Sequence, residues 1–253
     1  MLRPLCKRVP IRGRGYSLAY QACGPLACNM YTLVCEKTGQ AAVVDPSFHD
    51  RDEWEEIEEY LDGKHVTHIL LTHGHADHVA GVADAMKLWP DASLHLHPLE
   101  KENYQQAREQ GRYFGVKVPK LPEPSHTIAD GEVFHIGETI QLKAVHTPGH
   151  APGHIAFVDD RPSKDNKGAV IIGGDLLFRG AVGRTDFHNS SLDDLFASLR
   201  RLDDMLDDES IVLSGHTTPT KLGIEKEANP FVRMALQRPK EWYDEAKERL
   251  GWS

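Results

Sequence analysis

The sequence predicts an α/β fold, because short β-rich runs alternate along the chain with segments whose apolar residues recur at helical spacing. Four of the strand-like runs, moreover, end in histidine or aspartate, as expected when one edge of a sheet scaffold carries a site. At 253 residues the chain can bury a substantial core without covalent staples, and one domain is the simplest organisation. A formal charge of −9 and an isoelectric point near 5.9 argue against a general nucleic-acid surface and favour a small substrate.

The N-terminal stretch carries Arg3, Lys7, Arg8, Arg12 and Arg14 without an acid. Pro4, Pro10, Gly13 and Gly15 spoil an amphipathic presequence helix there, so it reads as a basic lead-in to a strand. No apolar run reaches the length of a membrane span, and no signal-peptide core precedes a cleavage-like site; the expectation is a cytoplasmic protein without a membrane partner. Cys6, Cys23, Cys28 and Cys35 include no Cys-x-x-Cys pair and read as reduced thiols.

Residues 31–35 and 41–44 flank the turn-like Lys37-Thr38-Gly39 and predict a hairpin that ends at Asp45-Pro46. Trp54, Ile57 and Leu61 then recur at helical spacing, Gly63 closes that helix, and residues 65–71 run on as a buried strand. Val79, Val82, Met86 and Trp89 form one apolar stripe, predicting a helix that stops at Pro90 and begins at Asp77 and His78. Residues 93–97 resemble another strand; residues 98–126 mix helix-like and proline-rich stretches and read as a surface excursion bordering a cleft. Ile140, Leu142 and Ala144 lead to His146, a strand lies around 155–158, and the apolar run 169–172 ends in Gly173-Gly174-Asp175. The strongest amphipathic helix follows Ser190 or Ser191 and carries Leu192, Leu195, Phe196, Leu199, Leu202 and Leu206. Residues 211–213 form a strand that presents Ser214-Gly215-His216, and residues 225–250 read as one or two closing helices.

Thr72-His73-Gly74-His75-Ala76-Asp77-His78 packs three imidazoles and a carboxylate together, and with 15 histidines in the chain a chance match has odds of about half a percent. Histidines two apart in an extended segment project to one side, so His73 and His75 can grip one ion while Asp77 and His78 reach a second. Adding the strand-end residues His146, Asp175 and His216 gives seven ligand candidates. Imidazole with carboxylate suits zinc, and also iron or manganese, so two divalent ions with zinc first are the expected cofactors. Asp175 is the bridging candidate, because its two oxygens can each bind one of two ions about 3.5 to 4 Å apart. Asp45 reads either as a partner of a ligand histidine or as a turn carboxylate. His95 and His97 read as groups outside the site, and His150 and His154 as loop packing.

These motifs, with His146-Thr147-Pro148-Gly149-His150, Gly174-Asp175 and Gly215-His216, resemble those of the metallo-β-lactamase superfamily across roughly residues 16–220. The stretch Phe178-Arg179-Gly180-Ala181-Val182-Gly183-Arg184-Thr185-Asp186-Phe187 and Glu227-Ala228-Asn229-Pro230-Phe231 resemble the glyoxalase II-like hydrolases in particular. The resemblance implies an αββα sandwich of two mixed sheets flanked by helices, a catalytic domain over 1–220, and a short helical extension over 221–253 packed on it. It further implies that His73, His75 and His146 hold the first ion, that Asp77, His78 and His216 hold the second, and that Asp175 lies between. The implied chemistry is hydrolysis of a small thioester such as S-lactoylglutathione, with Asp77 orienting the attacking water. Where glyoxalase II places a lysine and a tyrosine for glutathione, this chain reads Gly183-Arg184-Thr185-Asp186, so Arg184 and Asp186 are the substrate-binding candidates, with a structural ion pair as the equal reading. The helical domain that completes the glutathione site is expected to be truncated or absent, since 37 residues follow His216. Gly-Arg-Thr-Asp-Phe also resembles the persulfide dioxygenases, which use one iron on the positions matching His73, His146 and Asp175. A lactonase and a non-catalytic metal-binding module complete the alternatives.

Overall fold

The computed structural model describes residues 7–11, 13–163 and 168–252. One sheet runs in chain order through β1 (Lys7–Val9), β2 (Tyr16–Cys23), β3 (Cys28–Cys35), β4 (Gln40–Val44), β5 (His65–Leu70), β6 (Ser93–Leu96) and β7 (His126–Thr127). Its first four strands pair antiparallel, whereas β4 to β7 pair parallel. Parallel neighbours need long crossovers, and helices supply them: α1 (Arg51–Tyr60), α2 (Ala76–Val79) with α3 (Val82–Leu88), and α4 (Lys101–Phe114).

The second sheet has the order β15-β14-β11-β10-β9-β8, formed by β8 (Val133–Ile136), β9 (Ile140–His146), β10 (Ile155–Asp159), β11 (Val170–Gly174), β14 (Ile211–Ser214) and β15 (Thr220–Lys221). Between β11 and its parallel neighbour β14 come a two-stranded ribbon, β12 (Leu177–Phe178) and β13 (Ala181–Val182), and then α5 (Leu192–Met205). Ser191 caps α5 by accepting from Asp194 N, and Leu195, Phe196, Leu199 and Leu202 turn its apolar stripe inward.

Three apolar layers hold the molecule together. Leu18, Tyr31 and Leu33 meet Leu142, Phe157 and Ile172 between the sheets. Ile57, Val79 and Val82 cover the outer face of the first sheet at Val43, Ile69 and Leu94. Phe196, Leu199 and Leu202 cover the second at Val145, Ile171 and Val212. Each such side chain contributes about 1.5–3 kcal/mol by leaving water, and the layering is the αββα sandwich that the resemblance implied. α6 (Leu222–Ala228), α7 (Pro230–Leu236) and α8 (Lys240–Leu250) follow, with Val232 and Ala235 joining the α5 layer and Tyr243, Ala246 and Trp252 packing around Ala197.

Several elements differ from the sequence expectation. The stripe from Val79 to Trp89 is split between α2 and α3, because Gly81 passes against the β4–α1 connection: a Cβ there would lie 2.8 Å from both the Phe48 ring and Pro46 O. The closing segment holds three helices, since Asn229 caps α7 just ahead of Pro230 and Pro239 precedes α8. Strands β2 and β8 were not foreseen. Of the basic lead-in, residues 7–9 form β1, while Arg3, Arg12 and Cys6 lie outside the described residues. Arg14 is buried and bridges the sheets, pairing with Asp159 at 3.1 Å. Cys28 and Cys35 are free thiols. Among the described residues no helix is long and apolar enough to cross a membrane.

Candidate metal centre

The turn after β5 leaves the sheet at Thr72 and enters α2 at Ala76, so His73 and His75 lie on extended backbone while Asp77 and His78 occupy the first helical turn. Gly74 lets this turn press against the start of α4, where a Cβ would meet Tyr104 N at 2.7 Å. Glu100, buried and unforeseen, accepts from Gly74 N (2.9 Å) and Asn103 Nδ2 (2.9 Å) through one oxygen and from Gly153 N (2.7 Å) through the other. It thereby ties the His73–His78 turn to the 147–153 loop.

Three groups of donors result: His73, His75 and His150; Cys28, Asp77, His78 and His216; and His73, His78 and Asp175. Within each, the donor atoms lie within 4.8 Å of one another. Asp175 stands between the first two groups, with Oδ1 3.2 Å from His78 Nε2 and Oδ2 3.4 Å from His216 Nε2 and 3.6 Å from His150 Nε2. Asp77 Oδ2 lies 3.1 Å from His216 Nε2. Gly215 keeps this space open, since a Cβ there would sit 2.1 Å from Asp175 Oδ1.

His146 does not join them, which corrects the sequence assignment. Its Nε2 pairs with Pro152 O at 2.9 Å, its ring stacks on His97 at 4.7 Å, and its backbone N donates to Asp130 Oδ1. His150 takes the expected place. Gly149, at φ 138°, backs directly onto Leu195 of α5 and turns the loop so that the next side chain returns to the centre. The signal for this was present in the sequence as Pro148-Gly149, a reversal that carries the following residue away from the strand direction. His154 is likewise no mere loop filler: its Nε2 accepts from Asp175 N at 3.0 Å and so holds the Asp175 backbone in place. Cys28, a reduced thiol on the sequence expectation, stands with Asp77, His78 and His216.

Asp45, held at φ 50°, hydrogen-bonds the site directly. Its Oδ2 accepts from His78 Nδ1 (2.9 Å) and from Thr72 Oγ1 (2.6 Å), and its Oδ1 accepts from Thr72 N (2.8 Å). Thr72 Oγ1, its proton committed, accepts in turn from His73 Nδ1 at 3.0 Å. One carboxylate therefore assigns both tautomers and leaves the Nε2 of His73 and of His78 facing the centre. His150 is fixed the same way, with Nδ1 donating to Arg184 O at 2.8 Å and Nε2 2.8 Å from His75 Nδ1. His73 Nε2, His78 Nε2 and Asp175 Oδ1 are buried without a hydrogen-bond partner. Buried polar atoms left so cost about 1–3 kcal/mol each, and their convergence with imidazole and carboxylate donors fits divalent cations.

The two sides of the centre differ in charge. Burial, reinforced by the neighbouring imidazoles, pushes His73 well below its usual range and His75 down to about 3, and burial also lowers His150. Burial acts against charge on the other side too, but is outweighed there. Asp175 and Asp77 push His216 up to about 11, and Cys28 and the carboxylates Asp175, Asp77 and Asp45 raise His78. In return His216 and His78 hold Asp175 well below the carboxylate range, and Asp77 is lowered as well, against the opposing effect of burial.

A cleft of about 430 Å³ opens onto these donors, walled by Leu26, Phe114, Phe178, Val182 and Phe187. A second groove of about 390 Å³ continues along α4 past Gln106 and Tyr113. Arg184 lines both, its guanidinium 4.6 Å over the Phe187 ring. Asp186 grips that guanidinium bidentately at 2.6 and 2.7 Å and lines neither.

Residues 23–216 match the description of the metallo-beta-lactamase superfamily. Among relatives, a hydroxyacylglutathione hydrolase, GloC, of Haemophilus influenzae is 32% identical over 79% of this chain and 91% of its own length. A probable metallo-hydrolase, YqgX, of Bacillus subtilis is 32% identical over 83% of this chain and 94% of its own. The solved structure of TTHA1623 in a di-iron-bound form is 36% identical, covers 83% of this chain and 98% of that one, and superposes with a TM-score of 0.70.

Proposed function

Because the chain belongs to the metallo-β-lactamase superfamily, we propose that it is a hydrolase of small thioesters that works through two divalent ions, zinc first, with S-lactoylglutathione the first substrate to try. The observation that carries this reading is Asp175, whose carboxylate faces the His73, His75 and His150 group on one side and the Asp77, His78 and His216 group on the other. Ions held there would supply a water acidified toward about pH 7 and an electrophile for the acyl oxygen.

The chain's own residues do the rest. Asp77, beside His216 at the cleft floor, orients the attacking water. Asp45 keeps His73 and His78 in the tautomers that turn Nε2 inward, and His154 holds Asp175 in place. Leu26, Phe178, Val182 and Phe187 form an apolar wall that limits bulk water and accommodates an acyl group. A thiolate leaves readily because its conjugate acid is far stronger than an alcohol, so no separate acid is required for the leaving group.

Arg184 is the cation for a substrate carboxylate, and its pairing with Asp186 weakens that grip. The similarity to the hydroxyacylglutathione hydrolase supports a thioester, and a net charge of −9 suits a small-molecule partner in the cytoplasm better than nucleic acid. The test pairs metal analysis of the purified protein with turnover of S-lactoylglutathione and with oxygen uptake on glutathione persulfide. Two ions and thioester cleavage are expected; oxygen uptake with a single iron and no thioester turnover overturns the hydrolase.

A further inference from the structure

Cys28 opens β3 and is fully buried, with its Sγ in the donor group of Asp77, His78 and His216. The backbone on both sides of it is stitched to the loop that carries His216. Asn29 N donates to Gly215 O at 2.6 Å, and Asn29 Nδ2 donates to Ser214 O and Thr217 O at 2.8 Å each. Two residues earlier, Leu26 O accepts from His216 Nδ1 at 3.1 Å, and Ser47 Oγ donates to the Cys28 carbonyl at 3.0 Å. The thiol is thus positioned by the same contacts that aim His216 Nε2. An independent sign that this spot takes a ligand is His78 Nε2, which is buried, belongs to the same group and has no hydrogen-bond partner.

We propose that Cys28 is a thiolate donor to the second ion, so that this position combines sulfur, nitrogen and oxygen ligands while the first is held by three imidazoles and Asp175. The assignment rests on the two-ion reading above. On coordination the S–H bond breaks, a sulfur–metal bond forms, the proton leaves to solvent, and no electrons change hands. Bond lengths of about 2.3 Å to sulfur and 2.0 Å to nitrogen put neighbouring donors of one ion roughly 3 to 3.5 Å apart, so a group within 4.8 Å closes with small side-chain movements. A thiolate also selects: it favours zinc or iron over magnesium or manganese at this position. The added negative charge anchors the second ion, while the first, among neutral imidazoles, stays the better electrophile.

The competing account makes Cys28 a small buried hydrophobe that only fills space. Cobalt(II) titration of the intact protein separates the two. Two ions per chain are expected, with a sulfur-to-cobalt charge-transfer band that Cys28→Ser abolishes and with a second-ion affinity that this variant lowers by about tenfold or more. Two bound ions without that band, or a band that survives in Cys28→Ser, overturn the assignment and leave the two-ion reading standing. No cobalt bound at all overturns both. Should Cys28→Ser fail to fold, X-ray absorption at the cobalt edge of the wild-type protein decides: a sulfur neighbour is expected, and none overturns the proposal.

Discussion

The two halves of the centre are built from the same residue type and behave oppositely. His73, His75 and His150 are buried among one another, and burial with mutual repulsion keeps them neutral. His78, fully buried, and His216, partly buried, lie beside Asp77 and Asp175, and their pKa values are raised. An imidazole is therefore not one kind of ligand here. The carboxylates beside it decide whether an ion meets a ready lone pair or must first displace a proton.

The largest test of this contrast is His150→Ala against His146→Ala. The first should lose the first ion and lower kcat/KM on a thioester by about 100-fold or more. The second should keep both ions and cost about 1–2 kcal/mol of stability through its lost contact with Pro152. Metal analysis with denaturant melts reads both, and equal metal loss in the two variants would break the comparison.

Asp45→Asn comes next. It perturbs His78 directly and His73 only through Thr72, so the second ion should weaken by about 10–100-fold and the first by less, as competition with a chromophoric chelator would show.

The third expectation is a pH dependence that differs by side. His216 and His78 have raised pKa values, so at neutral pH an ion must expel their protons, and second-ion affinity should rise as pH rises. The slope should be about tenfold per pH unit for each proton displaced. The first group has lowered pKa values, is already neutral, and should bind almost independently of pH between about 6 and 8. Calorimetric titrations at several pH values, with matching slopes for both ions, would remove the asymmetry.

The smallest expected effect lies at the cleft mouth. Asp186→Ala frees Arg184 from an exposed ion pair, so KM for a carboxylate-bearing thioester should fall a few-fold with kcat unchanged. An unchanged KM would leave the pair purely structural.

Much of the scaffold was legible because its signals are local. Leu195, Phe196, Leu199 and Leu202 mark α5 by period alone, and the hairpin of β3 and β4 is marked by Gly39 between β-branched runs. β2 escaped because none of its residues is β-branched, so the alternation of Tyr16, Leu18 and Tyr20 with Ser17, Ala19 and Gln21 carries a weak strand signal. The split of α2 from α3 escaped because what interrupts them is Phe48, a residue distant in sequence.

The same division runs through the centre. Sequence determined the donor chemistry: the His73–His78 turn, Asp175, His216 and Asp45 stand at or next to strand ends, where local pattern locates them. Tertiary structure decided between His146 and His150, brought Cys28 across from the first hairpin, and set Glu100 between two loops. The physical reason is that a side chain's neighbours in space come from backbone reversals and long-range packing. Gly149 turning against Leu195 and Asn29 clasping the Gly215 loop are contacts between distant segments, and no local periodicity records them.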